Sequence, residues 1–179
     1  MPRVKRGTKR RHRRKKILGL AKEEMAEAKV KVIREFQEGL PPVLADGNKL
    51  RQVFLNLLKN AIQATPPGGQ ITIRLTRTTR SALPAPVQRD LALQVGDGDP
   101  STVYVVSQVI DTGVGIPAAD LERIFDLFFT TKSTGSGLGL AICRRIVEDH
   151  GGAIGVESVE HTGSTFTVAL PLKPVPSQP

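Results

Sequence analysis

Four short segments carry residue types whose spacing could do chemistry. In Asn56-Leu-Leu-Lys-Asn60-Ala-Ile-Gln-Ala64, two asparagines stand at i and i+4, on one face of a helix. An amide oxygen in that position can coordinate a hard cation such as Mg²⁺ together with phosphate oxygens and water; paired asparagines are equally at home as plain exposed polar residues. Asp111-Thr-Gly113-Val-Gly115-Ile-Pro117 follows an apolar run. A carboxylate at a strand end accepts a hydrogen bond from an exocyclic amine such as adenine's, and the glycines let the backbone approach a flat base closely. The same string also reads as an ordinary strand-to-helix turn. In Phe125-Asp126-Leu-Phe128-Phe129-Thr130-Thr131-Lys132, the phenylalanines either anchor a moving loop or fill a core, while Lys132 can reach a phosphate. Gly135-Ser-Gly137-Leu138-Gly139-Leu140 opens a helix whose first N–H groups point outward and favour an anion. Glycine-rich turns at helix starts are common, so this segment is ambiguous by itself.

The elements that must position these groups can be read from periodicity. Val30, Val32 and Phe36 alternate with polar residues, which predicts a half-buried strand over 29–36. Asp46-Gly-Asn48 starts a helix in which Leu50, Val53, Phe54, Leu57, Leu58 and Ile62 have helical spacing, ending near Thr65 before Pro66-Pro67-Gly68-Gly69. Ile71, Ile73 and Leu75 alternate as a strand, and the valine-rich run 102–110 forms another. Residues 79–101, with Pro84, Pro86, Gly96, Gly98 and Pro100, read as a long connecting loop. A short helix is expected over 118–128 and a longer one over 138–150, closed by Gly151-Gly152. A final hairpin pairs 153–158 with 165–170. Strands and helices mix without regular βαβ alternation, which predicts an α+β two-layer sandwich, a mixed and mostly antiparallel sheet covered on one face by helices.

Composition bounds the rest. The 179 residues, 39% hydrophobic and 24% charged, suit one domain with a packed core. No stretch approaches a bilayer-spanning length, no secretory signal opens the chain, and a cytoplasmic setting is expected. The single cysteine, Cys143, excludes an internal disulfide and a cysteine-built zinc site. It lies among Ala141, Ile142 and Ile146 and reads as a small buried apolar residue. The net charge of +9 belongs almost wholly to residues 1–22, which hold 11 of the 26 Lys+Arg and no acid. The body, 23–172, and the Pro-rich tail, 173–179, are together close to neutral. The arm has no aromatic residue, so any RNA contact would be phosphate-directed and non-specific. Met1 to Leu18 resembles the N-terminal extension of a large-subunit ribosomal protein family. That likeness stops after about 22 residues, which points to a fusion or a chimeric reading frame.

Taken together, the four segments are specific. Their order, spacing and flanking strands resemble the Bergerat-type ATP-binding domain of two-component sensor histidine kinases, over about residues 29–172. The resemblance is carried by LPPVLADGNKLRQVFLNLLKNAIQA, DTGVGIP, FDLFFTTK and GSGLGLAICRRIVEDHGG. It implies ATP and Mg²⁺ as cofactors, with Asn60 ligating Mg²⁺ and Asn56 beside it as the catalytic pair. It further implies that Asp111 reads the adenine amine, with Gly113 and Gly115 permitting the approach. Thr131 and Lys132 would belong to a lid over the triphosphate, and Gly135, Gly137, Leu138 and Gly139 would offer backbone donors. Thr165 would support the adenine contact through water.

Three positions depart from the family's pattern. ATP-hydrolysing members of the superfamily have glutamate where Asn56 stands, and a carboxamide takes no proton at neutral pH, which favours phosphoryl transfer over hydrolysis. Gln63 replaces a basic residue found in many members, and Asp126 a commoner glutamate. The resemblance also implies partners, an acceptor-histidine domain and a response regulator. His12, His150 and His161 do not resemble acceptor sites, so the chain is expected to phosphorylate itself poorly. A stand-alone serine kinase of the anti-sigma-factor kind and an RNA- or ribosome-associated binder are the alternatives.

Overall fold

A computed structural model describes residues 29–132 and 135–172. The basic arm, with its ribosomal-protein likeness and expected RNA contact, lies outside the described residues, as do residues 23–28, His12 and the Pro-rich tail.

Five strands form one sheet in the order β1-β2-β3-β5-β4: β1 (Lys31–Phe36), β2 (Gln70–Thr79), β3 (Val103–Asp111), β4 (Ala153–Val159) and β5 (Gly163–Pro171). β1 runs parallel to β2, and all other pairings are antiparallel. Helices α1 (Gly47–Ala64) and α3 (Gly139–Asp149) pack side by side on one face. The expected sandwich is therefore present.

α1 forms where its sequence says it should. The Asp46 carboxylate accepts the backbone N–H groups of Asn48 and Lys49 at 2.8 and 3.3 Å, capping the first turn. Those bonds, with the charge of Lys49, hold its pKa below the usual carboxylate value. Val53, Leu57 and Ala61, one turn apart, are buried and meet Ile71, Val109, Phe166 and Val168 from the sheet and Cys143 and Val147 from α3. Ile71 is fully buried and pairs in register with Asp111. We expect Ile71→Val to cost about 1 kcal/mol of stability for the lost methylene, read as a lower urea midpoint, with little change at any site built on Asp111.

Two segments differ from expectation. Residues 79–101 are not a loop. A 3₁₀ turn at Arg80–Ala82 leads into helix α2, Ala85–Val95. Pro84-Ala-Pro86 acts as a helix start rather than a breaker, since a proline in the first turn gives up an N–H that has no partner there anyway. Gly96, at φ +69°, ends the helix, and its carbonyl accepts the Arg80 guanidinium. Leu83, Val87 and Leu91 pack with Tyr104, Val106, Ala153 and Ala169. These strand residues alternate with those facing α1 and α3, so α2 covers part of the opposite face of the sheet, at its β4 side.

The second difference is at 118–128, a run of turns rather than a helix. Asp120, Arg123 and Asp126 donate in sequence to the carbonyls of Pro117, Asp120 and Arg123, three residues back each time. This tighter path lets Leu121, Ile124, Phe125 and Phe129 all reach the core. Among the described residues, no helix is long and apolar enough to cross a membrane.

Candidate functional site

α1 acts as a spine, and the parts of the site dock along it between Asn56 and Ala64, about 12 Å of helix at 1.5 Å per residue. At one end, Asn56 Nδ2 donates to the carbonyl of Gly139, 3.3 Å away, at the start of α3. The Cys143 thiol, pushed up to about 11 by burial, lies beside Asn56 and donates to the Val53 carbonyl at 3.7 Å. Asn56 thus ties α1 to the start of α3 through its side-chain nitrogen. The first turn of α3 has no side-chain cap, and Ile142 N–H is the first to find an intrahelical carbonyl, at Leu138. Of the preceding amides, Leu138 N–H donates to the Ser136 hydroxyl at 3.4 Å and Gly135 N–H to the Lys132 carbonyl, while the N–H groups of the first turn itself have no intrahelical carbonyl and suit an anion. A Cβ on Gly139 would meet nothing nearer than 3.9 Å, so room remains beside them.

One turn along, the Asn60 amide oxygen lies 3.4 Å from Lys132 Nζ, and Gln63 Oε1 lies 2.6 Å from the same ammonium. Partial burial and the nearby charge of Lys59 push the Lys132 pKa down. Thr131 is exposed; it is Thr130 whose hydroxyl accepts the Lys132 N–H at 3.1 Å.

At the far end, the Ala64 carbonyl accepts Val114 N–H at 3.1 Å, hanging the Asp111–Gly115 loop on the helix. A Cβ on Gly113 would fall 2.5 Å from Ala64 O and 2.7 Å from Asp111 Oδ1, so only glycine fits. Gly115 adopts φ +69° and packs on the Val159 carbonyl, a second position closed to side chains. The Asp111 carboxylate is buried, accepts Gly113 N–H at 2.9 Å and is also bonded by Ser164 N–H. Burial raises its pKa, and the two amide bonds oppose that rise.

Ser164, not Thr165, is the β5 residue that joins Asp111. Ser164 pairs with Asp111 in register, is buried, and its hydroxyl lies 3.0 Å from that of Ser158. Thr165 pairs with Ile110 and faces the other side of the sheet, so the structure does not bring it to the site. The parity of the β3–β5 register was the missing signal.

The phenylalanines divide in the same way. Phe125 and Phe129 pack on the core, with Arg144 and Arg123 stacked over their rings at 5.9 and 4.8 Å. Phe128 is exposed at φ +66°, its N–H bonded to Gly137 O. Gly137 packs so tightly against the Phe128 backbone that a Cβ would overlap it. Gly135 N–H donates to Lys132 O at 3.1 Å, which joins the phenylalanine segment to the glycine segment.

A buried carboxylate flanked by two close-packed glycines, amide oxygens already gathered on a cation, and the start of a second helix follow one another along a single helix. That arrangement fits an adenine amine at one end and a metal-bound phosphate chain at the other. The sequence pattern described as "Histidine kinase-, DNA gyrase B-, and HSP90-like ATPase" matches residues 45–174. The chain belongs to this family. Within it, the chain is similar to Sensor kinase CckA of Brucella abortus, 46% identical over 73% of this chain and 13% of that protein. It is also similar to Sensory histidine kinase/phosphatase NtrB of Rhodobacter capsulatus, 40% identical over 80% of this chain and 37% of that protein. Among solved structures it resembles the catalytic domain of histidine kinase ThkA, at 33% identity and a TM-score of 0.66, covering 89% of this chain and 92% of that one. ThkA has also been solved in complex with the response regulator TrrA, where the likeness has a TM-score of 0.63 at 31% identity and covers 89% of this chain and 39% of that one. The chain is thus a histidine-kinase-type ATPase catalytic domain, and it spans 13% to 37% of the length of the two curated relatives named.

Proposed function

We propose that this chain positions Mg²⁺-ATP for transfer of the terminal phosphoryl group to a histidine on a separate acceptor domain, whose response regulator receives it next. The observation that supports this best is the docking of three groups along α1: the Asp111 loop at Ala64, Lys132 at Asn60 and Gln63, and the start of α3 at Asn56. When bound, ATP supplies the transferable phosphoryl group and Mg²⁺ offsets its charge. Asp111 accepts the adenine amine, Asn60 presents its amide oxygen to the metal, and Lys132 with the α3 amides faces the phosphates. Asn56 offers no carboxylate to draw a proton from water, and its nitrogen is engaged with Gly139, so transfer is favoured over hydrolysis.

The described histidines do not resemble acceptors. His150 Nε2 accepts Asp46 N–H at 3.0 Å, and Nδ1, 2.7 Å from the Ile146 carbonyl, must donate to it. Both ring nitrogens are therefore engaged, Nδ1 within α3 and Nε2 in holding the end of α3 to the cap of α1. His161 is exposed in the β4–β5 turn at φ +63°, with Glu160 3.9 Å away.

The test is incubation with γ-labelled ATP and Mg²⁺, alone and with a dimeric acceptor-histidine domain of a sensor kinase. Label on the added domain only, with little free phosphate, is the expected result. Acid-labile label on this chain alone would make one of its own histidines an acceptor and defeat the reading of it as a partner-dependent donor.

A further inference from the structure

We propose that Gln63 is a positioning residue that parks the Lys132 ammonium on the metal-binding amide of Asn60, so that a divalent cation enters only as Lys132 leaves. This deepens the proposed function and rests on the reading of Asn60 as the metal's ligand.

Gln63 follows Asn60 by three residues, so both amides lie on one face of α1. Lys132 comes from a different segment and touches both, 2.6 Å from Gln63 Oε1 and 3.4 Å from Asn60 Oδ1. The shorter bond is to Gln63, so glutamine is the main holder. An ammonium there has cationic neighbours, since Lys59 stands next to Asn60 and its charge opposes that of Lys132. A basic residue at position 63 would add a second repulsion and exclude Lys132. A glutamine oxygen reverses that sign.

The consequence is an exchange. An amide binds a metal through its oxygen, and Mg²⁺ requires ligands near 2.0–2.1 Å in octahedral geometry. The Asn60 oxygen has two lone pairs, but an ammonium and a divalent cation beside one oxygen repel each other. Metal entry therefore displaces Lys132 toward the negative charge that arrives with it. The parked ammonium also keeps two amide oxygens satisfied before any ligand binds.

Trace acylation of the full chain with an N-hydroxysuccinimide acetate reagent, read residue by residue by mass spectrometry, tests this without any activity assay. Exposed Lys31 serves as the internal reference. Without nucleotide, Lys132 should react roughly fivefold faster in Gln63→Leu than in the wild type, as expected for loss of one hydrogen bond. Gln63→Glu should restore the protection. Gln63 is exposed, so these variants are expected to fold. Equal Lys132 rates in wild type and Gln63→Leu would overturn the parking. With Mg²⁺ and ATP present, and binding verified by equilibrium dialysis, the difference between the two should vanish; its persistence would overturn the exchange. Failure of ATP to bind in the dialysis would sink the nucleotide-site reading instead, while the nucleotide-free comparison would still decide the Gln63–Lys132 contact.

Discussion

Asp111→Asn is expected to weaken ATP binding at least tenfold, about 1.4 kcal/mol or more, in a titration with a fluorescent ATP analogue. The substitution keeps size and shape but replaces one acceptor oxygen with a donor, which then faces the donor amine of adenine. Buried polar groups left facing like partners are costly. Stability should change little. At neutral pH, relief from burying a charge offsets the loss of one of the two amide bonds from Gly113 and Ser164. The urea midpoint of the variant should therefore stay near that of the wild type, which separates a binding defect from a folding defect. An unchanged titration would remove Asp111 from the adenine contact.

The same carboxylate sets a pH dependence. Burial raises its pKa above 3.8, so it takes up a proton at a higher pH than an unburied aspartate would. As pH falls through that raised value, the charged acceptor is lost and affinity should decline; Asp111→Asn should be flat over the same window. For folding the sign is opposite. A raised carboxyl pKa contributes stability below the unfolded value, and that contribution is lost as pH rises through the folded value.

Asn60→Ala is expected to bring ATP affinity in Mg²⁺ down to its level in EDTA, a loss of about tenfold. The measurement is a paired titration with and without metal. Asn60 is only partly buried and, among the described residues, its side chain bonds Lys132 alone, so stability should move by no more than about 0.5 kcal/mol. A full metal response in the variant would place the metal elsewhere.

Much of this was legible in the sequence, and what was missed has physical causes. The capped, 3.6-periodic α1 and the glycine-opened α3 follow from local rules, and so does the carboxylate that ends β3. The helix α2 was hidden because Pro84 and Pro86 break a helix in its interior but begin one at its first turn. Residues 118–128 have a plausible helical sequence, yet tertiary anchoring of Phe125 and Phe129 selects a tighter chain path. Thr165 was displaced by Ser164 because one residue of strand register exchanges the faces of a sheet. The Gln63–Lys132 contact joins residues far apart in the chain, which no local pattern reveals.

Helix α2 bears on how the molecule keeps to itself. β4 is an outer strand of the sheet, and the unpaired backbone of such a strand is a template on which another chain can add. Here the Asp90 carboxylate of α2 accepts the Ile154 N–H at 3.3 Å and holds the Arg144 guanidinium as well. Part of the hydrogen-bonding capacity of β4 is thus already spent within the molecule. A version of this domain shortened to a tight β2–β3 hairpin would bare Ala153, Ala169 and Tyr104 together with that amide, and self-association through β4 is the hazard it would face. The β1 edge has no such guard from α2, which leaves it the more open route for strand-to-strand assembly.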